Sequence, residues 1–160
     1  MRVFFLRHGL AGDRADWHGD DFDRPLTHDG MKRMEREAKT IAELDLELDV
    51  IVTSPLVRAK QTAEIVAKRL DLRDVLVDDP SVGHGFSVAA LRMILDKHRA
   101  AEAIMLVGHE PSMSQVIGDV LGGASVEMKK GALACLDIEP STMRGELIWL
   151  LPPKMLTLKT

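Results

Sequence analysis

Arg7 and His8 stand side by side at the end of an apolar run, Val3-Phe4-Phe5-Leu6, and Gly9 follows them. A guanidinium presents a fixed fork of N–H donors that matches phosphate oxygens. An imidazole titrates near neutrality and can act as nucleophile, acid or base. The same pairing of types recurs further along. Arg58 lies in Ser54-Pro55-Leu56-Val57-Arg58-Ala59, and His109 lies in Val107-Gly108-His109-Glu110-Pro111. Two arginines in one pocket call for an anion with several oxygens, phosphate above all. One histidine could attack phosphorus while the other contacts a phosphoryl oxygen, and the arginines would neutralise the charge that develops. A metal centre is the competing use of paired histidines. His8 and His109 have no third ligand at recognisable spacing, and the arginines would repel a cation.

These residues need elements that bring them together. Residues 2–6 are rich in Val and Phe and read as a strand. Residues 9–27 carry Gly, Asp, His, Trp and Pro without periodicity, a long loop of the kind that often serves function. Thr27 is placed to cap a helix over residues 28–44, with Met31, Met34, Ala38, Ile41 and Ala42 inward. Residues 49–53 form a second strand whose consecutive aliphatics suit burial on both faces. Ser54 then reads as an N-cap and Pro55 as the first helical residue of a helix running to Leu70. A short strand over 75–77, a helix capped by Ser87 and running to Arg99, and a strand over 103–107 follow. A helix over 111–121 ends at Gly122-Gly123. Residues 131–138 and 146–151 are joined by too short a turn for anything but antiparallel pairing.

The alternation predicts a three-layer α/β/α fold, with a mostly parallel sheet, helices on both faces and an antiparallel C-terminal strand pair. The right-handed crossover rule puts the C-terminal ends of the parallel strands on one edge. Arg7, His8, Arg58 and His109 all fall at that rim, the usual ligand edge of such sheets.

A chain of 160 residues with 46% hydrophobic composition suits one domain, residues 1–160, with a sizeable core. The net charge of −4 argues against a nucleic-acid binder. Charge interrupts the apolar stretches too often for a membrane span. The single cysteine, Cys135, sits in an apolar run and reads as a core thiol. Arg7 and His8 interrupt the first apolar run too early for a secretory segment, so a cytoplasmic location is expected. We also expect a monomer. Glu110 reads as a helix N-terminal charge, and Lys129-Lys130 as a solvated turn.

Four stretches together resemble the histidine phosphatase superfamily, of phosphoglycerate-mutase-like fold, and within it the small SixA-type phosphohistidine phosphatases. They are Leu6-Arg7-His8-Gly9, Arg24-Pro25-Leu26-Thr27-His28-Asp29-Gly30, the run from Ser54 to Ala63, and Val107 to Pro111. They occur in the family's order and span most of the chain. The resemblance implies that His8 is the phosphorylated nucleophile and that Arg7, Arg58 and His109 form the phosphate pocket. It implies that Arg24 contacts substrate or orders the first loop. It implies no metal and no cofactor. Many members carry an acidic proton donor after the third strand, but residues 78–86 contain no glutamate, which leaves Asp79, His84 or no donor at all. An alkoxide leaving group needs an acid, whereas a phosphorylated imidazole leaves with a proton taken near neutrality. The expected substrate is therefore phosphohistidine on a protein. The alternatives are a phosphatase for a small phosphomonoester or nucleotide, and a phospho-ligand binding module without catalysis.

Overall fold

The computed structural model describes residues 1–158. Six strands form one sheet: β1 Arg2–Arg7, β2 Val50–Thr53, β3 Leu76–Asp78, β4 Ala103–Gly108, β5 Leu133–Glu139 and β6 Arg144–Leu151. Their order is β3-β2-β4-β1-β5-β6. The first four run parallel, β5 pairs antiparallel with β1, and β6 pairs antiparallel with β5. The expected three-layer architecture is the observed one.

β1 and β4 occupy the middle of the sheet and are buried along nearly their whole length. Alternate side chains of a strand face opposite ways, and β1 feeds both layers accordingly. Val3 and Phe5 pack with Leu91, Ile94 and Leu95 of α3 (Val88–Lys97) and with Met113, Val116 and Ile117 of α4 (Ser112–Val120). Phe4 and Leu6 pack with Met34, Ala38 and Ile41 of α1 (His28–Glu43) and with Ala59, Ala63 and Val66 of α2 (Val57–Leu70). Among the described residues no helix is long and apolar enough to cross a membrane.

The caps largely follow the sequence. The Thr27 hydroxyl accepts from Gly30 N, and the Ser87 hydroxyl accepts from Ala90 N. Gly122 and Gly123 take positive φ where α4 ends. Three readings are corrected. The helix after β2 starts at Val57 with Leu56 at its N-cap, so Ser54 and Pro55 precede it rather than begin it. Residues 9–27 are not featureless: they hold two single-turn helices, Arg14–Asp16 and Asp21–Asp23, and a bridge between Ala11 and Leu26. The region after β6, which carries no sequence signal, contains α5 (Pro153–Leu156), whose Leu156 is buried against the α1 layer. The last two residues of that region lie outside the described residues.

Candidate active site

β1 carries Arg7 and His8 to the C-terminal edge of the sheet, and β4 beside it carries Gly108 and His109 to the same edge. The register pairs Arg7 with Gly108, and His8 N continues the ladder by donating to Gly108 O at 3.0 Å. The two imidazoles therefore meet, with ring centroids 5.3 Å apart. β2, on the other side of β4, leads into the turn that starts α2 and so sets Arg58 in the first turn of that helix. His8, Arg58 and His109 are all buried.

Each histidine has one ring nitrogen engaged. His8 Nδ1 lies 2.7 Å from Gly9 O. A carbonyl only accepts, so Nδ1 carries the hydrogen and Nε2 is left with a bare lone pair. Burial pushes the His8 pKa down to about 3, and the nearby His109, Arg58 and Arg7 push the same way. His109 is likewise lowered to about 3, first by burial and then by Arg58 and His84. Both rings are neutral at physiological pH. His109 Nε2 lies 2.7 Å from Ser54 Oγ, while its Nδ1 is buried without a partner among the described residues.

The arginines are fixed in a matching way. Arg7 donates through Nη1 to Met128 O at 2.8 Å, and its buried Nε has no partner among the described residues. Arg58 donates through Nη1 to Asp21 O at 2.9 Å and through Nη2 to Asp21 Oδ2 at 3.1 Å, and its Nε is also unpartnered among the described residues. Among the described residues, two buried guanidinium Nε–H groups and one imidazole nitrogen are thus left unsatisfied on Arg7, Arg58 and His109. Buried polar groups are ordinarily paired, so the arrangement is suited to an anionic ligand with several acceptor oxygens.

Two side chains of α2 tie the first loop to that helix. Thr62 Oγ1 accepts from Gly9 N at 3.0 Å and donates to Arg58 O at 2.8 Å. Gln61 Oε1 accepts from Leu26 N at 2.8 Å. Both ends of the loop are therefore held by consecutive residues of one helix. Gly9 lets α1 approach: a Cβ there would lie 2.6 Å from Met34 Cγ. Gly30 admits Leu10 O, which a Cβ would meet at 2.0 Å.

Arg24 donates to Gly12 O and, at 3.0 Å, to Asp21 Oδ1, so it orders the loop from inside. His84 is exposed, stacks on His109 with centroids 5.5 Å apart, and places Nε2 3.7 Å from Asp21 Oδ2. Asp79 points elsewhere. It accepts from Ser81 and from Lys97 Nζ, and although burial works to raise its pKa, these bonds hold it below the usual carboxylate range. Glu110 accepts from Ser114 N at 2.8 Å in the first turn of α4. Sequence reasoning missed Asp21, one acid among many in residues 13–23, and misread Ser54. Nothing in their local sequence separates them from an ordinary loop acid and an ordinary cap.

A model of the histidine phosphatase superfamily (branch 1) matches residues 3–79. An uncharacterized protein of Picosynechococcus is 35% identical over 98% of this chain and 99% of its own. The phosphohistidine phosphatase SixA of Escherichia coli is 27% identical over 96% of this chain and 94% of its own. A solved structure of the protein histidine phosphatase SixA complexed with tungstate superimposes with a TM-score of 0.86, at 24% identity, over 98% of this chain and 99% of that one. With two arginines and two histidines gathered at one sheet edge, three of the four buried, and relatives matched over nearly its full length, this chain belongs to the histidine phosphatase superfamily, branch 1, as a SixA-like phosphatase.

Proposed function

We propose that the protein removes phosphate from phosphohistidine on a protein substrate, through a phosphohistidine intermediate on His8. The observation that carries this reading is the His8 ring: neutral, with Nδ1–H held by Gly9 O and the Nε2 lone pair free. A nucleophilic imidazole must be unprotonated at the attacking nitrogen, and burial secures that. Arg7 and Arg58 would take the phosphoryl oxygens through their free N–H groups, and His109 would contact another oxygen.

In the first step His8 Nε2 forms a bond to phosphorus as the bond to the substrate imidazole breaks. The leaving nitrogen keeps the electron pair and is protonated near neutrality. Water then attacks phosphorus, releasing phosphate and restoring the His8 lone pair. No cofactor enters the scheme.

The carboxylates near the rim support this choice of leaving group. Asp79 is engaged by Ser81 and Lys97, and Asp21 by Arg24 and Arg58; both are held in the ionised form. In Asp21 burial pulls the other way, but the hydrogen bond from Arg24 and the charge of Arg58 outweigh it. Neither is suited to protonate an alkoxide. The test is a turnover panel comparing a phosphohistidine-bearing protein with sugar and nucleotide monophosphates. The phosphohistidine protein should have the highest kcat/KM, and a reversed order would overturn the substrate assignment.

A further inference from the structure

We propose that Ser54 is a positioning residue that sets the tautomer of His109, so that His109 presents a hydrogen-bond donor, Nδ1–H, to the phosphoryl group. The inference rests on the phosphatase reading only for the identity of the ligand oxygen. The tautomer itself follows from the contacts of Ser54.

Ser54 is fully buried at the end of β2. Its backbone N donates to Val107 O at 2.9 Å, which extends the β2–β4 ladder by one residue and brings Ser54 beside the chain leading to His109. Its hydroxyl oxygen accepts from Leu56 N at 3.2 Å. A hydroxyl has one hydrogen to donate. Among the described residues the other hydrogen-bond contact of this hydroxyl is with His109 Nε2, at 2.7 Å, and its direction depends on the tautomer of the ring.

Two assignments are possible for this contact. If Nε2 carried the hydrogen, it would donate to Ser54, the serine hydrogen would be buried without an acceptor, and His109 Nδ1 would be a bare lone pair. That lone pair would lie on a ring that the charges of Arg58 and Arg7 reach, beside the expected anion, and would repel it. If Ser54 donates to Nε2, the serine is satisfied and Nδ1 carries the hydrogen. The buried and unpartnered Nδ1 then becomes a donor with one missing acceptor, which a phosphoryl oxygen supplies. The second assignment satisfies every group once the ligand arrives. The ring is neutral in the free protein, so the fixed tautomer, not a positive charge, makes His109 a donor.

The serine read from sequence as a helix cap therefore does different work. The Leu56 N–H bond turns the hydroxyl lone pair toward the start of α2 and leaves the hydrogen for His109. Replacing a partner that orients a metal-bound imidazole typically costs about tenfold to a hundredfold in activity, and a loss of the same order is expected for Ser54→Ala.

The test uses the full chain labelled with 15N-histidine, with His109 signals assigned by comparison with His109→Asn. Two-bond nitrogen–proton correlations should show His109 protonated at Nδ1 and bare at Nε2 in the free protein at pH 7.5. Tungstate should then move the Nδ1–H signal downfield. In Ser54→Ala the ring should become a mixture of tautomers, and kcat should fall about tenfold to a hundredfold while the His8 tautomer is retained. An Nε2-protonated His109 in the wild-type protein would overturn the proposal, and so would a Ser54→Ala variant that keeps both tautomer and kcat. The wild-type spectrum decides the matter even if the variant does not fold. A failure of the phosphohistidine assignment would appear as a changed substrate order and would leave this spectrum as described.

Discussion

His8 and His109 are ordinary histidines in sequence and unusual ones in place. Both are buried beside two arginines, and both are lowered to a pKa of about 3. A histidine whose folded pKa is depressed stays neutral while the unfolded chain takes up a proton, so stability falls as pH drops below about 6.5 toward 3. Thermal melts between pH 7 and pH 4.5 should show that loss, and a His8→Gln, His109→Gln double variant should show a shallower slope. In the same range the His8 and His109 ring resonances should not titrate. A midpoint near 6.5 for either would contradict the burial argument. Glu37 has the opposite sign. It is a buried carboxyl on α1 with one oxygen unpartnered among the described residues, and burial pushes its pKa up to about 8. It lines a cavity of about 330 Å³ with Arg7, Arg33, Lys129 and Lys130. A carboxyl raised in the folded state binds its proton more tightly than in the unfolded chain, so its contribution is full below about pH 4.5 and is lost as pH rises toward 8. Glu37→Gln should therefore stabilise the protein at pH 7 by on the order of 3 kcal/mol. The gain should shrink toward pH 5; a variant less stable than wild type at pH 8 would count against it.

At the scale of elements, the site depends on how closely α1 and α2 approach the end of β1. Gly9→Ala would drive a methyl into Met34 and should cost about 1–3 kcal/mol, by the usual cost of overpacking. In a double-mutant cycle, Met34→Ala should recover part of that stability loss, because the smaller side chain opens the space the methyl needs. No recovery would mean that Gly9 matters for another reason. The first loop is tied to α2 through Gln61 and Thr62 and to Arg58 through Asp21. Asp21→Ala should free the Arg58 guanidinium and lower kcat/KM about tenfold, the low end of the scale for partners that orient metal ligands; steady-state kinetics at matched ionic strength would read it. Much of this frame is legible in the sequence, because apolar runs ending in Arg-His-Gly, Ser-Pro and Gly-His mark strand ends. The side-chain ties are not. Asp21 is one of several aspartates in a stretch with no periodicity, and only the fold brings it to Arg58. Ser54-Pro55 has the pattern of a helix start, but the chain delays the helix by two residues and gives the serine hydroxyl to a strand-end histidine. Glu37 sits on α1 among charged neighbours, and the close turn at Gly131 that buries it lies nearly a hundred residues away.

For the whole molecule, the parallel centre of the sheet matters most. It puts the C-terminal ends of β1, β2 and β4 side by side, and residues as far apart in sequence as Arg7 and Gly108 meet there. The order of the four motifs along the chain is the order in which the topology visits that edge. The net charge of −4 means that the cationic character is local to the site and not general to the surface. The central claim is that His8 takes the phosphoryl group. The most direct measurement is rapid-quench mass spectrometry during turnover of a phosphohistidine-bearing protein, kept at alkaline pH to preserve the N–P bond. Phosphate should appear on His8 at early times and vanish as substrate is exhausted, and His8→Ala should show neither the adduct nor turnover. Phosphate on another residue, or undiminished turnover by His8→Ala, would contradict the account.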